Sequence, residues 1–200
     1  MNHYFTDNRH LAQNRKEITF RFSCFTCHFL TDNGVFCKDH VDFGTRTLLD
    51  AVHASGLLGE EVLDLGCGSG ILSIAALCLG ASEAFACDID DKCVDVAYEN
   101  AAINGIGKDR YTVRWGDVVT DRALRRELGG PYDVVVANIV ADVIKALAST
   151  VRPLVREGGI FLCSGIIDDR AEEVAQCLRD NGWTIAETRS SEGWFSYLCR

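Results

Sequence analysis

Short apolar runs alternate along this chain with longer segments in which apolar residues recur at helical spacing. Most runs are apolar at successive positions, which is typical of parallel strands that helices cover on both faces. The pattern therefore predicts an α/β fold built on a mostly parallel sheet. The predicted strands lie near 62–65, 84–88, 111–115, 134–137, 160–164, 183–188 and 194–199, and the predicted helices near 47–52, 71–80, 91–104, 141–151 and 169–180.

The N-terminal part of the chain has a different pattern. Ile18–Phe22 alternates apolar and polar residues, the period of a half-buried strand, and a second such segment covers Cys27–Leu30. Asn33-Gly34 follows as a strong turn signal. We therefore predict a small β-ribbon within residues 1–42 and a main domain over 43–200.

A glycine-rich turn, the glycine loop (residues 66–70), follows the first strand of the main domain. Gly66, Gly68 and Gly70 would let backbone approach a ligand where a Cβ would clash. A dinucleotide site would carry G-x-G-x-x-G, but Ile71 stands where the third glycine would be. Asp64, just before the loop, suits a ligand with a cationic end. These features favour S-adenosylmethionine, and the alternative is a turn that only joins a strand to a helix.

Polar residues stand where the predicted parallel strands end. Asp64, Asp88, Asp117 and Asn138 hold these positions, and ligands of such sheets bind beyond the carboxyl ends of the strands. An acid after the second strand is expected to hold a ribose, so we assign this role to Asp88 and adenine contact to Asp117. Each acid alone could instead cap a helix or lie in a solvated loop.

Composition and charge exclude some classes of protein. The chain has 200 residues, 48% of them hydrophobic, which suits one globular domain. No apolar run reaches the ~18 residues that a membrane span needs, and no signal pattern is evident, so we expect a cytoplasmic protein. The net charge of −9 arises beyond residue 50, because residues 1–50 are balanced. This weakens the case for a nucleic-acid partner without excluding one.

Ten cysteines raise the question of a metal or haem site. Residues 24–28 match the C-x-x-C-H of haem attachment, which would require export. A zinc site of Cys24, Cys27 and Cys37 with His28 or His40 stays open. The simpler interpretation is a β-hairpin with cysteines at pleat positions, and we predict no metal.

The segment Asp64–Gly70 is similar to motif I of class I S-adenosylmethionine-dependent methyltransferases. From about Val41 to Arg200, the chain resembles the catalytic domain of the ribosomal protein L11 methyltransferase family. The resemblance implies a Rossmann-like, seven-stranded, mostly parallel sheet with helices on both faces, whose last strand is antiparallel. The matching pieces are Phe43-Gly44-Thr45, motif I with Ile71-Leu72, Asp88-Ile89-Asp90, Glu99-Asn100-Ala101, Ala137–Asp142 and Ser164-Gly165-Ile166.

The N-terminal segment departs from that family. Members carry a separate substrate-docking domain, which residues 1–42 are too few to form. Residues 4–46 instead resemble the N-terminal segment of small-subunit ribosomal RNA guanine-N2 methyltransferases, through Tyr4–Asn8, Thr31–Phe36 and Val41–Gly44. Ribosomal protein and ribosomal RNA therefore both stay open as acceptors, and the sequence does not indicate an oligomeric state.

The residues after the fourth strand of the main domain favour a protein acceptor. Enzymes that methylate the exocyclic amines of bases usually carry Asn-Pro-Pro followed by an aromatic residue that stacks on the base. Here Asn138 is followed by Ile139 and Val140, with neither proline nor aromatic. We therefore expect methylation of a protein amine. The alternative role for Asn138 is to cap the next helix.

The predicted site combines these assignments. Asn138 Oδ1 and the Ile139 carbonyl are expected to accept the hydrogens of the acceptor amine and to aim its lone pair. The resemblance adds Thr45, closing over the methionine portion of the cofactor. A small-molecule methyltransferase and a non-catalytic cofactor-binding module are further alternatives. The predicted cofactor-binding residues are Thr45, Asp64, Gly66, Cys67, Gly68, Gly70, Asp88, Ile89, Asp117 and Asn138.

Overall fold

The computed structural model describes residues 16–22, 25–31, 43–56 and 60–200. The strands within these ranges are β1 (Lys16–Phe22), β2 (Phe25–Thr31), β3 (Glu61–Leu65), β4 (Glu83–Asp88), β5 (Tyr111–Trp115), β6 (Tyr132–Asn138), β7 (Val155–Ile167), β8 (Ile185–Ser191) and β9 (Trp194–Cys199). The helices are α1 (Phe43–Ser55), α2 (Ile71–Leu79), α3 (Asp91–Ile103), α4 (Arg122–Leu128), α5 (Ala141–Thr150) and α6 (Asp168–Asp180), with a short 3-10 helix over Arg152–Leu154.

Strands β3 to β9 form one seven-stranded sheet in the order β5-β4-β3-β6-β7-β9-β8. The neighbouring strands from β5 to β7 are parallel, and β9 is antiparallel to both β7 and β8. The predicted Rossmann-like sheet with an antiparallel last strand is therefore confirmed. The strand order reverses between β3 and β6, and ligands of such sheets bind beyond the carboxyl ends at this point.

Two cores lie on opposite faces of this sheet because successive strand residues point to opposite sides. On one face, Val62 and Val134 pack with side chains of α1, α2 and α3. On the other, Leu63 and Val135 pack with side chains of α4, α5 and α6. Burial on both faces explains why these strands are continuously apolar in the sequence.

The sequence pattern did not predict α4, and it placed the start of β7 too late. Helix α4 has only Leu124 and Leu128 as buried residues, too few for a clear helical period. Its first turn is instead stabilised by Asp121, whose carboxylate accepts the N–H of Ala123 at 2.7 Å. Strand β7 begins at Val155 in a largely exposed stretch, and this stretch has no apolar run to mark it.

The predicted β-ribbon is present as an antiparallel pair of β1 and β2, here called the hairpin. The side chains of Phe20, Cys27 and Phe29 are buried in the core that α1, α2 and α3 share. The Asn33-Gly34 turn lies outside the described residues. Among the described residues, no helix is long and apolar enough to cross a membrane.

The proposed zinc ligands do not converge within the described part of the chain. Cys27 is buried, with its Sγ 3.8 Å from that of Cys78. His28 lies on the opposite face of the strand, where its Nδ1 is 3.3 Å from Glu17 Oε1. The other candidates, Cys24, Cys37 and His40, lie outside the described residues.

Candidate functional site

The glycine loop runs from β3 into α2 with a backbone that only glycine adopts readily. Gly66, Gly68 and Gly70 have φ angles of 75°, 53° and 79°, in the left-handed region. A Cβ on Gly66 would lie 2.6 Å from Ile139 Cγ2, and one on Gly70 would lie 2.8 Å from Tyr111 Oη. The loop is therefore packed closely against its neighbours, and its backbone faces the carboxyl edge of the sheet.

The loop is also bonded to the end of β4. The N–H groups of Gly66 and Cys67 donate to the Cys87 carbonyl at 2.9 and 3.1 Å. The Gly68 N–H donates to Asp88 Oδ2 at 2.8 Å, and the Asp90 N–H donates to Asp88 Oδ1 at 3.0 Å. Burial raises the pKa of Asp88, and the two backbone donors oppose that rise. The residue predicted to hold the ribose thus lies directly beside the loop.

Asp64 lies beneath the loop and is fully buried. Its Oδ2 accepts the N–H and the hydroxyl of Ser73 at 3.2 and 2.5 Å. Its Oδ1 has no hydrogen-bond partner among the described residues. Burial raises the pKa of Asp64 from 3.8 to about 7, although the bonds from Ser73 oppose the rise. Since the carboxyl group is enclosed, an influence on the cofactor would pass through the loop.

The contribution of Asp64 to the free energy of unfolding is therefore expected to fall as the pH rises from about 4 to about 7. In this interval the folded state holds a proton on Asp64 that the unfolded state has lost, so raising the pH favours unfolding. Each unit of pKa difference corresponds to about 1.4 kcal/mol. The variant Asp64→Asn keeps an oxygen for Ser73 and should flatten this slope in urea unfolding measured across the interval.

A surface carboxylate provides the control for this measurement. Asp121 is exposed and caps α4, and asparagine caps a helix as well as aspartate. We expect Asp121→Asn to keep the wild-type slope. Equal slopes for wild type and Asp64→Asn would show that Asp64 is ionised throughout.

Asn138 is the last residue of β6, which pairs with the edge of β3 opposite to β4. It pairs with Ser164 of β7, and its Nδ2 donates to Thr45 Oγ1 at 3.1 Å. Thr45 is buried in the first turn of α1. This bond restrains the Asn138 side chain with Nδ2, rather than Oδ1, toward Thr45. The structure thus brings together Thr45 and Asn138, which are distant in the sequence.

Ile139 links the acceptor side of the site to the glycine loop. Its side chain contacts Gly66, and its N–H donates to the Ser164 carbonyl at 3.1 Å. Its carbonyl oxygen lies close to Gly165, because a Cβ at Gly165 would be only 2.6 Å from this oxygen. Ile139, one of the two predicted catalytic residues, therefore directly adjoins the predicted cofactor loop.

The remaining predicted residues differ in their surroundings. Asp117 accepts the Val119 N–H at 2.9 Å and the Thr120 hydroxyl at 2.7 Å, which is the local capping role considered as its alternative. Ile89 is 62% exposed beyond β4, and its carbonyl accepts the indole N–H of Trp115 at 3.0 Å. Adenine contact by Asp117 and cofactor binding by Ile89 stay predictions.

A comparison of the sequence with models of known protein families identifies the family of this chain. The model described as ribosomal protein L11 methyltransferase (PrmA) matches residues 43–200. The chain belongs to the PrmA family. The match begins at α1 and leaves the hairpin outside.

Curated relatives of this PrmA-family chain are similar over most of its length. A ribosomal protein L11 methyltransferase from Lachnospira eligens is 43% identical over 144 residues, which cover 71% of this chain and 45% of the relative. One from Exiguobacterium sp. is 39% identical over 175 residues, which cover 84% of this chain and 54% of the relative. The chain thus spans about half the length of the curated relatives it matches.

Solved structures share the fold. A ribosomal protein L11 methylase from Lactobacillus delbrueckii subsp. bulgaricus has a TM-score of 0.70 and 29% identity, covering 80% of this chain and 79% of that one. The 16S rRNA methyltransferase RsmC from T. thermophilus, in complex with AdoMet and guanosine, has a TM-score of 0.75 and 21% identity. It covers 93% of this chain and 50% of that one, and at this identity it shows the fold alone.

Several residues of the site in this PrmA-family chain were not found from the sequence. Ser73 bonds Asp64 from α2, and no local pattern pairs the two. Trp194 pairs with Ile167 at the carboxyl end of β7, and both are partly exposed. Trp194 reaches the carboxyl edge of the sheet because β9 pairs antiparallel with β7. Asn100 belongs to a quoted family motif, so the sequence marked its position but not its contacts.

Proposed function

We propose that this chain is an S-adenosylmethionine-dependent N-methyltransferase that acts on an amine of a ribosomal protein. The observation that carries the proposal is the contact between Ile139 and Gly66. It joins a glycine loop suited to a nucleoside cofactor to an asparagine suited to grip an amine. Membership of the PrmA family supports the same conclusion. A cytoplasmic location is part of the proposal.

The cradle around the loop fits S-adenosylmethionine. A Cβ at Gly66 would collide with Ile139 and one at Gly70 with Tyr111, so the close packing of the loop requires glycine at both positions. In this proposal Asp88 accepts the ribose hydroxyls, the glycine loop and Thr45 hold the methionine portion, and Ile89 and Asp117 flank the adenine. The cofactor supplies a methyl group on a sulfonium, which is a strong electrophile, so the protein mainly positions and desolvates.

The residues of this chain act on the acceptor amine. An ammonium group has no lone pair, so only the neutral amine can react. Asn138 Oδ1 and the Ile139 carbonyl accept two hydrogens of that amine, which leaves its lone pair pointing toward the cofactor. Thr45 holds the amide of Asn138 in this orientation through the bond from Nδ2.

The choice of a protein acceptor rests on two supports. The relatives found among curated proteins are named ribosomal protein L11 methyltransferase. Asn138-Ile139-Val140 also lacks the prolines and the stacking aromatic expected after Asn138 for a base amine. The alternative is ribosomal RNA, which the resemblance of residues 4–46 favours.

Labelling with radioactive cofactor separates these acceptors. The protein is incubated with labelled S-adenosylmethionine and a bacterial extract, and the products are treated with protease or ribonuclease. The proposal expects label in a product that protease removes and ribonuclease leaves. Label that ribonuclease alone removes would favour the RNA alternative. Cofactor binding without label in any fraction would favour a non-catalytic binding module.

Removing the Asp88 carboxylate should weaken cofactor binding. Because charged hydrogen bonds to the ribose would be lost, we expect Asp88→Ala to reduce the binding free energy by about 1–3 kcal/mol in isothermal calorimetry. Asp90→Asn is the matched control, since Asp90 caps α3 through Lys92 N–H and asparagine caps equally well. Unchanged affinity in Asp88→Ala would remove the ribose assignment.

A further inference from the structure

Asn100 of α3 and Asn104, which caps the C-terminal end of that helix, bond the backbone of β2. Asn104 accepts the N–H of His28 at 3.0 Å and donates to the carbonyl of His28 at 2.7 Å. Asn100 accepts the N–H of Leu30 at 2.6 Å and donates to the carbonyl of Leu30 at 3.0 Å. Each side-chain amide thus takes the place of a neighbouring strand along β2.

Asn100 makes one bond that Asn104 does not. Its Nδ2 also donates to the backbone carbonyl of Ser69 at 2.9 Å. Ser69 stands between Gly68 and Gly70 in the glycine loop. One amide group therefore holds both the hairpin and the cofactor loop.

The orientation of this amide is set by its partners. Asn100 is 0% exposed, so each polar group around it needs a partner inside the protein. The N–H of Leu30 requires an acceptor, whereas the carbonyls of Leu30 and Ser69 require donors. Only one assignment of oxygen and nitrogen satisfies all three groups. The amide cannot turn over without leaving buried groups unpaired.

The hairpin is also packed against the helices that carry the loop. Cys27 and Phe29 of β2 are buried in the same core as Ile71 and Leu72, the first residues of α2. The hairpin is thus anchored by alternate side chains and, between them, by the backbone of His28 and Leu30. It nevertheless lies outside the residues that the PrmA family model matches.

We propose that Asn100 is a positioning residue that couples the hairpin to the glycine loop, so that the hairpin takes part in holding the cofactor. This rests on the proposed function for the identity of the ligand. Coupling between two sites is reciprocal. Cofactor binding should therefore protect the amides of His28 and Leu30 from hydrogen exchange, although both lie outside the matched domain.

Alanine variants of the two asparagines test the coupling. Both Asn100→Ala and Asn104→Ala lose the paired bonds to β2, so both should speed exchange in the hairpin. Only Asn100→Ala should also speed exchange of residues 66–70 and weaken S-adenosylmethionine binding, by at least about 5-fold. Asn104→Ala, which loosens the hairpin but leaves the bond from Asn100 to Ser69 in place, should weaken the affinity less than Asn100→Ala does. Equal affinities for both variants would overturn the proposal and leave Asn100 a structural residue.

A second variant covers the case in which Asn100→Ala does not fold. Asn100→Asp has the same shape and keeps an acceptor for Leu30 N–H, but it lacks the amide donor to Ser69. It should give the same increase of loop exchange, and wild-type exchange in the loop would overturn the proposal. Hydrogen exchange of the glycine loop without ligand also separates the two proposals. A wild-type protein that binds no cofactor would refute the proposed function. The difference in loop exchange between the Asn100 and Asn104 variants could still be measured in that case.

Discussion

Replacing Asn138 by alanine is expected to lower the rate of methyl transfer by about 100-fold while changing cofactor affinity by less than about 2-fold. The amide is placed to accept a hydrogen of the acceptor amine, and alanine removes the group that aims the lone pair. The cofactor loop contacts Ile139 rather than Asn138, so its shape should persist. Single-turnover kinetics with calorimetric binding separate the two effects.

Thr45→Val provides a graded comparison for this result. Valine has nearly the shape of threonine but cannot accept the bond from Asn138 Nδ2. The amide would remain while losing one restraint, so we expect a loss of rate smaller than that of Asn138→Ala. The opposite pattern, in which Asn138→Ala weakens cofactor binding more than it slows transfer, would make Asn138 a structural residue.

Replacing Gly70 by alanine should destabilise the protein by about 2–5 kcal/mol and abolish measurable cofactor binding. The left-handed backbone at φ 79° is strained for alanine by about 1–2 kcal/mol. The new Cβ would also lie 2.8 Å from Tyr111 Oη and 3.2 Å from Ala97 Cβ, and overpacking of this kind adds about 1–3 kcal/mol. Urea unfolding measures the loss.

Gly105→Ala separates backbone strain from collision. Gly105 has a φ of 72°, close to that of Gly70, but a Cβ there would meet nothing within 4 Å. We therefore expect only the strain, about 1–2 kcal/mol, with unchanged cofactor binding. If Gly70→Ala and Gly105→Ala lowered the free energy of unfolding equally, the collision at Gly70 would contribute nothing to the loss of stability.

The sequence could predict the sheet and the edge at which the site forms. Strands β3 and β6 and residues 160–164 of β7 are buried on both faces, so their apolar runs are visible in the chain without any knowledge of partners. Asp88 and Asn138 were found because carboxyl ends of parallel strands meet at one edge. These inferences use local patterns and a general rule of topology.

The contacts that hold the site together could not be predicted in this way. Ser73 reaches Asp64 through a buried bond between two elements, and Asn100 reaches β2 and the glycine loop across 70 and 31 residues of sequence. Such bonds depend on how the elements pack, and no pattern along the chain encodes their partners. Helix α4 was missed for a related reason, since its stability comes from a cap and two leucines.

The interpretation of the N-terminal segment changes most with the structure. This segment resembles ribosomal RNA methyltransferases in sequence, and the resemblance favours an RNA acceptor. The hairpin in this segment bonds Asn100 and Asn104 and packs in the core that α1, α2 and α3 share. A role in supporting the cofactor loop therefore accounts for the hairpin without requiring RNA.

The nature of the acceptor is tested most directly by mass spectrometry of purified substrates. Ribosomal protein L11 and ribosomal RNA are incubated separately with this protein and S-adenosylmethionine, and their intact masses are compared with those from the Asn138→Ala variant. The account predicts that the ribosomal protein gains mass in steps of one methylene with the wild-type protein, while the RNA is unchanged. A gain in the RNA with none in the ribosomal protein would contradict it.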